Sequence, residues 1–177
     1  MSAIRSSCEV QEALQVTRGA LPTENAEALR ALFVGASYEK VTHVDKEPYE
    51  RDMGQVYSCR YDRSTELEQN PRFIEMVSSK VLPLLPDGKC RFRAYRMVAG
   101  DYFRIHMDAE TSFIYYLSKN WWIDWGGVLH AFQKGKVSPF VPIFNALVTI
   151  KKSAPHFVSM VTEYAQEPRY AVTGFID

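Results

Sequence analysis

Hydrophobic residues follow a helical spacing in the first half of the chain. One segment predicts a helix over residues 24–35, with Thr23 as its N-cap. A second helix is predicted to begin at Asn70-Pro71, because proline suits the first turn of a helix, and to continue to about residue 85. The front of the chain is therefore predicted to be helical.

From residue 89 the spacing changes to short runs of period two, separated by turn residues. The predicted strands cover residues 91–98, 102–107, 111–117, 127–132, 147–151, 157–161 and 169–176. Short strands without long crossover helices indicate an antiparallel sandwich or barrel rather than a parallel sheet. We expect one domain over residues 1–177, with residues 1–88 as helical support and lid and residues 89–177 as the β core.

Composition narrows the class of protein. A chain of 177 residues with 46% hydrophobic side chains is long and apolar enough for one folded core. Lysine and arginine together number 21, as do aspartate and glutamate. The chain therefore lacks the excess of positive charge that is typical of nucleic-acid-binding proteins, and we expect no nucleic-acid partner.

The cysteines and the termini bear on location. Cys8, Cys59 and Cys90 are odd in number and lack a CxxC spacing, which favours free thiols in a reducing compartment. Residues 1–10 lack the apolar run of a signal peptide, and the apolar stretch 137–150 is too short and too interrupted by proline to cross a bilayer. We expect a soluble, cytoplasmic protein with no membrane partner.

An HxD pair, His106 and Asp108, is the most informative chemical feature. Two imidazoles and one carboxylate can occupy one face of an iron(II) ion and leave the opposite positions open. Of the remaining histidines, His156 fits best as the third ligand, because it follows a Ser-Ala-Pro turn that can direct it inward. His43 and His130 need no functional explanation.

Alternation extends this site along two strands. It predicts that Tyr102, Arg104 and His106 share one face with Asp108. It also puts Thr173 on the same face as Arg169, whose planar fork of donors suits a dicarboxylate co-substrate.

The second half of the chain resembles the iron(II)/2-oxoglutarate-dependent oxygenases, specifically the prolyl-hydroxylase-like branch. The blocks that carry the resemblance are residues 99–108, 113–121, 125–129, 155–158 and 169–175. The resemblance implies a mainly β fold, a double-stranded β-helix (jelly roll, cupin-like) with the N-terminal helices packed outside. Two departures exist: the connection from His156 to Arg169 is longer than is usual, and the family's tyrosine upstream of HxD is matched unambiguously by none of Tyr95, Met97 and Tyr102.

The resemblance also implies the roles of the site residues. His106, Asp108 and His156 would bind Fe(II), and Arg169 would pair with the distal carboxylate of 2-oxoglutarate. Tyr116 lies where the family often places a tyrosine that binds the same carboxylate, and Thr173 is a weaker candidate for that role. The co-substrates would be 2-oxoglutarate and O2, and the resemblance admits ascorbate as a further cofactor.

The implied reaction is hydroxylation of an unactivated C–H bond, coupled to decarboxylation of 2-oxoglutarate to succinate. The carboxylate of Asp108 favours hydroxylation over halogenation, while desaturation and cyclisation would use the same ligands. Arg104 and Trp121 are the more speculative candidates for substrate contact, and Gly126-Gly127 predicts a turn or bulge close to the metal.

Three functions remain open from the sequence. The preferred one is a hydroxylase of a small molecule, either amino-acid-like or a natural-product intermediate. The second is a peptidyl-prolyl hydroxylase with a protein substrate, and the third is a cupin-like metal protein without oxygenase activity. Residues 38–63, polar and rich in aromatics, could form a lid or groove wall in the first two cases. The protein is expected as a monomer or a homodimer.

Overall fold

The computed structural model describes residues 13–49 and 52–177. Cys8 and the segment 1–10, on which the expectation about a signal peptide rests, lie outside the described residues. Among the residues that are described, no helix has both the length and the apolar character needed to cross a membrane.

The described residues form eleven strands and three α-helices. The strands are β1 (Leu14–Arg18), β2 (Glu39–Val44), β3 (Ser58–Arg63), β4 (Cys90–Met97), β5 (Tyr102–His106), β6 (Thr111–Tyr116), β7 (Leu129–Gln133), β8 (Lys136–Phe140), β9 (Ala146–Ile150), β10 (His156–Val158) and β11 (Arg169–Ile176). The helices are α1 (Thr23–Gly35), α2 (Thr65–Gln69) and α3 (Pro71–Met76), and α3 continues into a π-helical turn (Val77–Val81) and a 3-10 turn (Leu82–Leu84).

All strand pairings are antiparallel, and the sheet curls into a nearly closed barrel. The order of hydrogen-bonded neighbours is β1-β9-β6-β11-β4-β3-β5-β10-β7-β8, and β2 pairs with β3 outside this path. Neighbouring strands are often distant in sequence, as in a jelly roll. The predicted double-stranded β-helix with helices outside is confirmed.

The central strands are buried on both faces. In β6, Phe113 and Tyr115 point outward and pack with α1 and α3, while Ile114 and Tyr116 point into the barrel. The outer layer is an aromatic contact in which Phe33 of α1 meets Phe73 of α3 edge to face. The helices thus cover one face of the sheet and leave its other face to line a cavity.

The helix boundaries differ from the sequence predictions in two places. Thr23 is wrong as the N-cap of α1, because the helix is entered from Pro22, whose carbonyl accepts the amides of Asn25 and Ala26. The predicted second helix is preceded by the short α2, which ends at Asn70. The Asn70 side chain then caps α3 by accepting the Arg72 and Phe73 amides.

Four strands were not predicted, namely β1, β2, β3 and β8. Most residues of β1, β2 and β8 are exposed, so no alternation of apolar and polar residues marks them in the sequence. Three of the four lie before residue 88, so the front of the chain is less purely helical than expected. The domain division at that residue stays a prediction.

Candidate active-site cavity and metal centre

The barrel contains a partly open cavity of about 810 Å³. Its walls are the inward faces of β3 to β6 and of β9 to β11, together with residues of β2. His106, Asp108, His156, Arg169 and Thr173 all line it. Residues that are far apart in sequence therefore meet in one space.

Strand pairing brings the two histidines together. His106 of β5 and His156 of β10 are direct cross-strand partners, and their ring centroids lie 4.3 Å apart. Asp108 follows β5 in a turn whose backbone carbonyl accepts the amide of Ser153, two residues before Pro155-His156. This hydrogen bond ties the loop that carries the carboxylate to the loop that precedes the second histidine.

Both histidines are oriented by backbone carbonyls. The Nδ1 atom of His106 lies 2.7 Å from the Arg104 carbonyl, and Nδ1 of His156 lies 2.9 Å from the Ala154 carbonyl. A carbonyl only accepts hydrogen bonds, so each Nδ1 must carry the proton and each Nε2 keeps its lone pair. Second contacts of this kind hold metal-binding imidazoles in place.

The free Nε2 atoms face the carboxylate between them. The Nε2 of His106 is 3.7 Å from one Asp108 oxygen, and the Nε2 of His156 is 3.4 Å from the other. Burial, followed by the nearby His106, lowers the pKa of His156 to about 4 from its ordinary 6.5. His156 is therefore neutral at neutral pH, as a metal ligand has to be.

The donor set fits a divalent metal ion. The ligand atoms of His106, Asp108 and His156 all lie within 4.8 Å of one another. Across residues 13–49 and 52–177, this is the one group of three or more potential ligand side chains that meets this condition. Two neutral imidazoles and one carboxylate are the ligands of non-haem iron(II) oxygenases, in which half of the coordination sphere stays open.

A buried arginine marks another part of the cavity. Arg169 is only 2% exposed, and its contacts are the Met97 sulfur at 3.3 Å and the Tyr116 hydroxyl at 3.1 Å, with the Tyr116 ring 4.9 Å away. Its Nε has no hydrogen-bond partner among the described residues. A buried guanidinium without a carboxylate is costly, so this part of the cavity fits an anionic ligand.

Local structure holds Arg169 in this position. The Ser118 hydroxyl accepts the Tyr170 amide at 2.7 Å and donates to the Pro168 carbonyl at 3.1 Å, which fixes the start of β11 against the end of β6. Gly127, with φ +62°, leaves space for the arginine stem, because a Cβ there would lie 2.9 Å from Arg169 Cδ. Gly126 and Gly127 both have positive φ, but their near neighbours include Met160 and Arg169 and none of the metal-ligand candidates, so the predicted turn or bulge close to the metal stays a prediction.

Tyr116 is arranged to donate a hydrogen bond. Its oxygen accepts one from Arg169 Nη2, so its own proton is left for another acceptor. Burial raises the pKa of the Tyr116 phenol, although Arg169 lowers it in part, so the group stays protonated. Thr173 lies four residues after Arg169 on the same inward face of β11.

The predicted common face of Tyr102, Arg104 and His106 is wrong, because β5 contains a β-bulge. His156 pairs with His106, and two residues later Val158 pairs with Phe103, so β5 has one extra residue between these pairs. Phe103 therefore lines the cavity with His106. Arg104 lies outside this lining and donates to Gln55 at 2.9 Å.

Other predicted side chains lie elsewhere. Trp121 does not line the cavity. Its indole NH donates to the Gly126 carbonyl, and it packs edge to face on Trp125. His130 stacks on Phe157 away from the cavity. His43, which was given no role, lines the cavity, and its Nε2 lies 2.7 Å from an Asp45 carboxylate oxygen.

An aromatic wall was missed by sequence reasoning. Tyr61 stacks on Phe103, with centroids 5.0 Å apart, and on Tyr95 at 4.3 Å, and all three rings line the cavity. The ring of Tyr57 lies 5.0 Å from that of His106. Tyr95 is thus the one of the three candidates upstream of HxD whose phenol faces the cavity. Alternation in residues 57–61 could have indicated the inward residues of β3.

Comparisons with known proteins agree with this arrangement. Residues 92–177 match the family model described as 2OG-Fe(II) oxygenase superfamily, and this range contains His106, Asp108, His156 and Arg169. A search of curated protein sequences gives no significant match.

Solved structures share the fold over most of their length. A prolyl hydroxylase from Trichoplax adhaerens, in complex with a hypoxia inducible factor peptide, aligns with a TM-score of 0.67 at 20% identity, over 94% of this chain and 84% of that one. A prolyl-4-hydroxylase from Pseudomonas putida aligns with a TM-score of 0.54 at 19% identity, over 94% and 92%. HygX from Streptomyces hygroscopicus, with nickel, 2-oxoglutarate and hygromycin B bound, aligns with a TM-score of 0.62 at 10% identity, over 92% and 81%.

The matched segment, the shared fold and the His-Asp-His-Arg geometry agree with one another. Residues 92–177 match the 2OG-Fe(II) oxygenase superfamily, and the His-Asp-His cluster within them is a candidate iron(II) site.

Proposed function

We propose that this protein hydroxylates an unactivated C–H bond of a small molecule, with decarboxylation of 2-oxoglutarate to succinate. The observation that carries the proposal is one partly open cavity that contains both a His-Asp-His cluster and a buried arginine with no carboxylate partner among the described residues. The first feature suits iron(II), and the second suits the distal end of the co-substrate.

In this proposal, His106 and His156 present their Nε2 lone pairs to the metal and Asp108 presents its carboxylate. The Arg104 and Ala154 carbonyls keep both imidazoles in the required tautomer. The iron, when bound, supplies the activation of O2 that an unactivated C–H bond requires. Asp108 leaves no room for a halide in its position, which supports hydroxylation.

Arg169 would hold the distal carboxylate of 2-oxoglutarate through its guanidinium, and Tyr116 would donate its hydroxyl proton to the same group. The two side chains are already joined by a hydrogen bond, so they form a preorganised pair of donors. Thr173 is the weaker candidate, since it lies farther along β11. Dry surroundings strengthen these contacts.

The cavity walls support a small-molecule substrate. The hairpin of β2 and β3 contributes Val41, His43, Cys59 and Tyr61 to the lining, and the Tyr57 ring lies against His106. The aromatic wall offers apolar surface for the body of an amino-acid-like compound or a natural-product intermediate.

A peptidyl-prolyl substrate is the second candidate. Two of the structures with this fold are prolyl hydroxylases, one of them with a bound peptide, whereas HygX contains the small molecule hygromycin B. Since identities are 20% or lower, these neighbours do not decide the substrate class.

The test uses purified protein with iron(II), carbon-labelled 2-oxoglutarate and two substrate pools. One pool contains free amino acids and related small carboxylic acids, and the other contains proline-bearing peptides with blocked termini. We expect succinate formation to rise above its uncoupled rate with the first pool. Stimulation by peptides alone would refute the small-molecule proposal.

A non-oxygenase cupin-like protein would bind iron without converting 2-oxoglutarate at all. We therefore also expect slow uncoupled formation of succinate in the absence of substrate. A cytoplasmic location stays a prediction, supported by the free thiols of Cys59 and Cys90.

A further inference from the structure

The inward face of β4 carries a ladder of side chains from the buried end of the cavity to its mouth. Met97, Tyr95, Arg93 and Arg91 alternate along this face, and their partners on β11 are Arg169, Ala171, Thr173 and Phe175. Arg93 lies four residues from Met97, about 13 Å along the strand. This distance leaves room along the wall for a second molecule beside a ligand held by Arg169.

The neighbouring arginines are compensated by carboxylates of the chain. Arg91 binds both oxygens of Glu110, at 2.8 and 2.6 Å. Arg63, which faces Tyr95 across β3 and β4, binds both oxygens of Glu68. Under the proposed function, one carboxylate of 2-oxoglutarate balances the positive charge of Arg169. Its other carboxylate, together with Asp108, balances the two positive charges of iron(II).

Arg93 is different. Its one hydrogen bond within the described residues goes from Nη1 to the Tyr95 hydroxyl at 3.2 Å, and no carboxylate of that part of the chain pairs with it. A guanidinium has five N–H donors, and Arg93 is exposed, so its remaining donors are open to solvent or to a ligand. Tyr95 holds the side chain along the aromatic wall, because its own hydroxyl lies 3.5 Å from that of Tyr61.

Arg93 also faces the cavity that the metal loop lines. The ion pair between Arg91 and Glu110 joins β4 to the segment that carries Asp108, two residues before Glu110. Arg93 is the next inward residue of β4 beyond Arg91. Arg93, the aromatic wall and the metal loop line the same cavity, so a molecule bound there lies among all three.

We propose that Arg93 binds a carboxylate of the substrate, while the aromatic wall formed by Tyr61, Tyr95 and Phe103 holds the substrate's apolar body. The inference rests on the proposed function and deepens it, since it narrows the substrate to a small carboxylic acid with an apolar chain or ring.

The experiment measures binding rather than turnover. Full-length protein is loaded with manganese(II) and N-oxalylglycine, an unreactive analogue of 2-oxoglutarate. Calorimetric titrations then compare proline, valine, leucine, isoleucine, methionine and phenylalanine, each as the free acid and as the C-terminal amide. At least one acid should bind about tenfold more tightly than its amide, as expected for one charge-assisted contact at a partly exposed site.

Two matched variants test whether Arg93 causes the preference for the acid over the amide. Arg93→Gln should lower the affinity for the acid to that for the amide. Arg91→Gln lies on the same strand and the same face but removes an arginine that Glu110 already compensates, so it should keep the preference.

Five results would overturn the inference, and four of them concern the acid and its amide. They are equal binding of acid and amide, an undiminished preference in Arg93→Gln, loss of the preference in Arg91→Gln, and no binding of any acid to protein that holds N-oxalylglycine. Weakened binding of N-oxalylglycine in Arg93→Gln would also refute it, by assigning the residue to the co-substrate. Failure of the wild-type protein to bind manganese and N-oxalylglycine would instead refute the proposed function.

Discussion

The metal end and the arginine end of the cavity differ in their exposure and in how far the chain itself supplies hydrogen-bond partners. At the metal end, His106, Asp108 and His156 retain side-chain exposures of 16%, 15% and 6%, and backbone carbonyls satisfy the Nδ1 atoms of both rings. At the arginine end, Arg169 is 2% exposed and its Nε has no partner within the described part of the chain.

The difference shows which half of the site depends on its ligand. The chain supplies the orienting contacts of the metal ligands, so these side chains are arranged without the metal. The arginine end has surplus donors in a dry environment, so its charge is balanced only when an anion binds. Substitutions at the two ends should therefore separate metal binding from co-substrate binding.

The largest effect is expected at the metal end. Asp108→Ala removes the one anionic ligand and should abolish succinate formation, with manganese affinity reduced about 100-fold or more. Metal content after dialysis and labelled succinate measure the two effects. Asp124→Ala changes an exposed aspartate and serves as control. If Asp108→Ala kept wild-type turnover, the ligand assignment would be wrong.

Arg169→Gln should weaken 2-oxoglutarate binding and leave metal binding unchanged. Loss of a buried charge that pairs with a ligand costs roughly 2–5 kcal/mol, so the KM for 2-oxoglutarate should rise at least about 30-fold. Manganese binding in the absence of 2-oxoglutarate should stay at the wild-type level. Arg169→Lys keeps the charge without the planar fork and should give an intermediate KM. Equal loss of metal and 2-oxoglutarate binding would contradict the separation of the two ends.

In the metal-free protein, the free energy of unfolding should fall at acid pH because His156 becomes protonated more readily in the unfolded chain. Because burial lowers the pKa of His156 to about 4, the unfolded chain binds more protons than the folded one between that pH and about 6.5. The contribution of His156 to stability is thus fully present above pH 6.5 and declines as the pH falls to about 4. Thermal unfolding of wild type and His156→Gln over this range tests the sign: the wild type should lose more stability. Added manganese should stabilise only the wild type.

The smallest effect is expected from Tyr116→Phe. The substitution keeps the ring against Arg169 and removes one hydrogen bond, worth about 0.5–1.5 kcal/mol. The KM for 2-oxoglutarate should rise by roughly 2- to 12-fold with metal binding unchanged. Tyr115→Phe, on the outward face of the same strand, is the control for loss of a phenol. If Tyr116→Phe had the wild-type KM for 2-oxoglutarate, the Tyr116 hydroxyl would not bind the co-substrate.

The sequence indicated which polar residues meet in the cavity better than it indicated the cavity walls. His106, Asp108, His156 and Arg169 could be recognised because a metal and a carboxylate demand particular residue types. The core strands could be recognised because burial on one or both faces leaves a periodic pattern, as in β4, β6 and β11.

Apart from the inward residues of β3, the walls depend on features that alternation does not encode. The exposed strand β2 gives no hydrophobic signal, so the segment 38–63, which contains the β2–β3 hairpin and the aromatic ring beside His106, was expected only as a lid or groove wall of unspecified structure. Because of the bulge in β5, Phe103 lines the cavity in place of Arg104, which regular alternation had predicted there. Nothing in the residue pattern of this strand marks the extra residue.

That extra residue has a consequence for the electrostatic character of the reaction space. In a regular strand, the second residue before His106 would face the same way as the imidazole, and a guanidinium would stand next to the metal ligands. The bulge turns Arg104 outward and directs its carbonyl to His106 instead. One additional residue of backbone thereby keeps a fixed cation away from the metal and puts a neutral ring in its place.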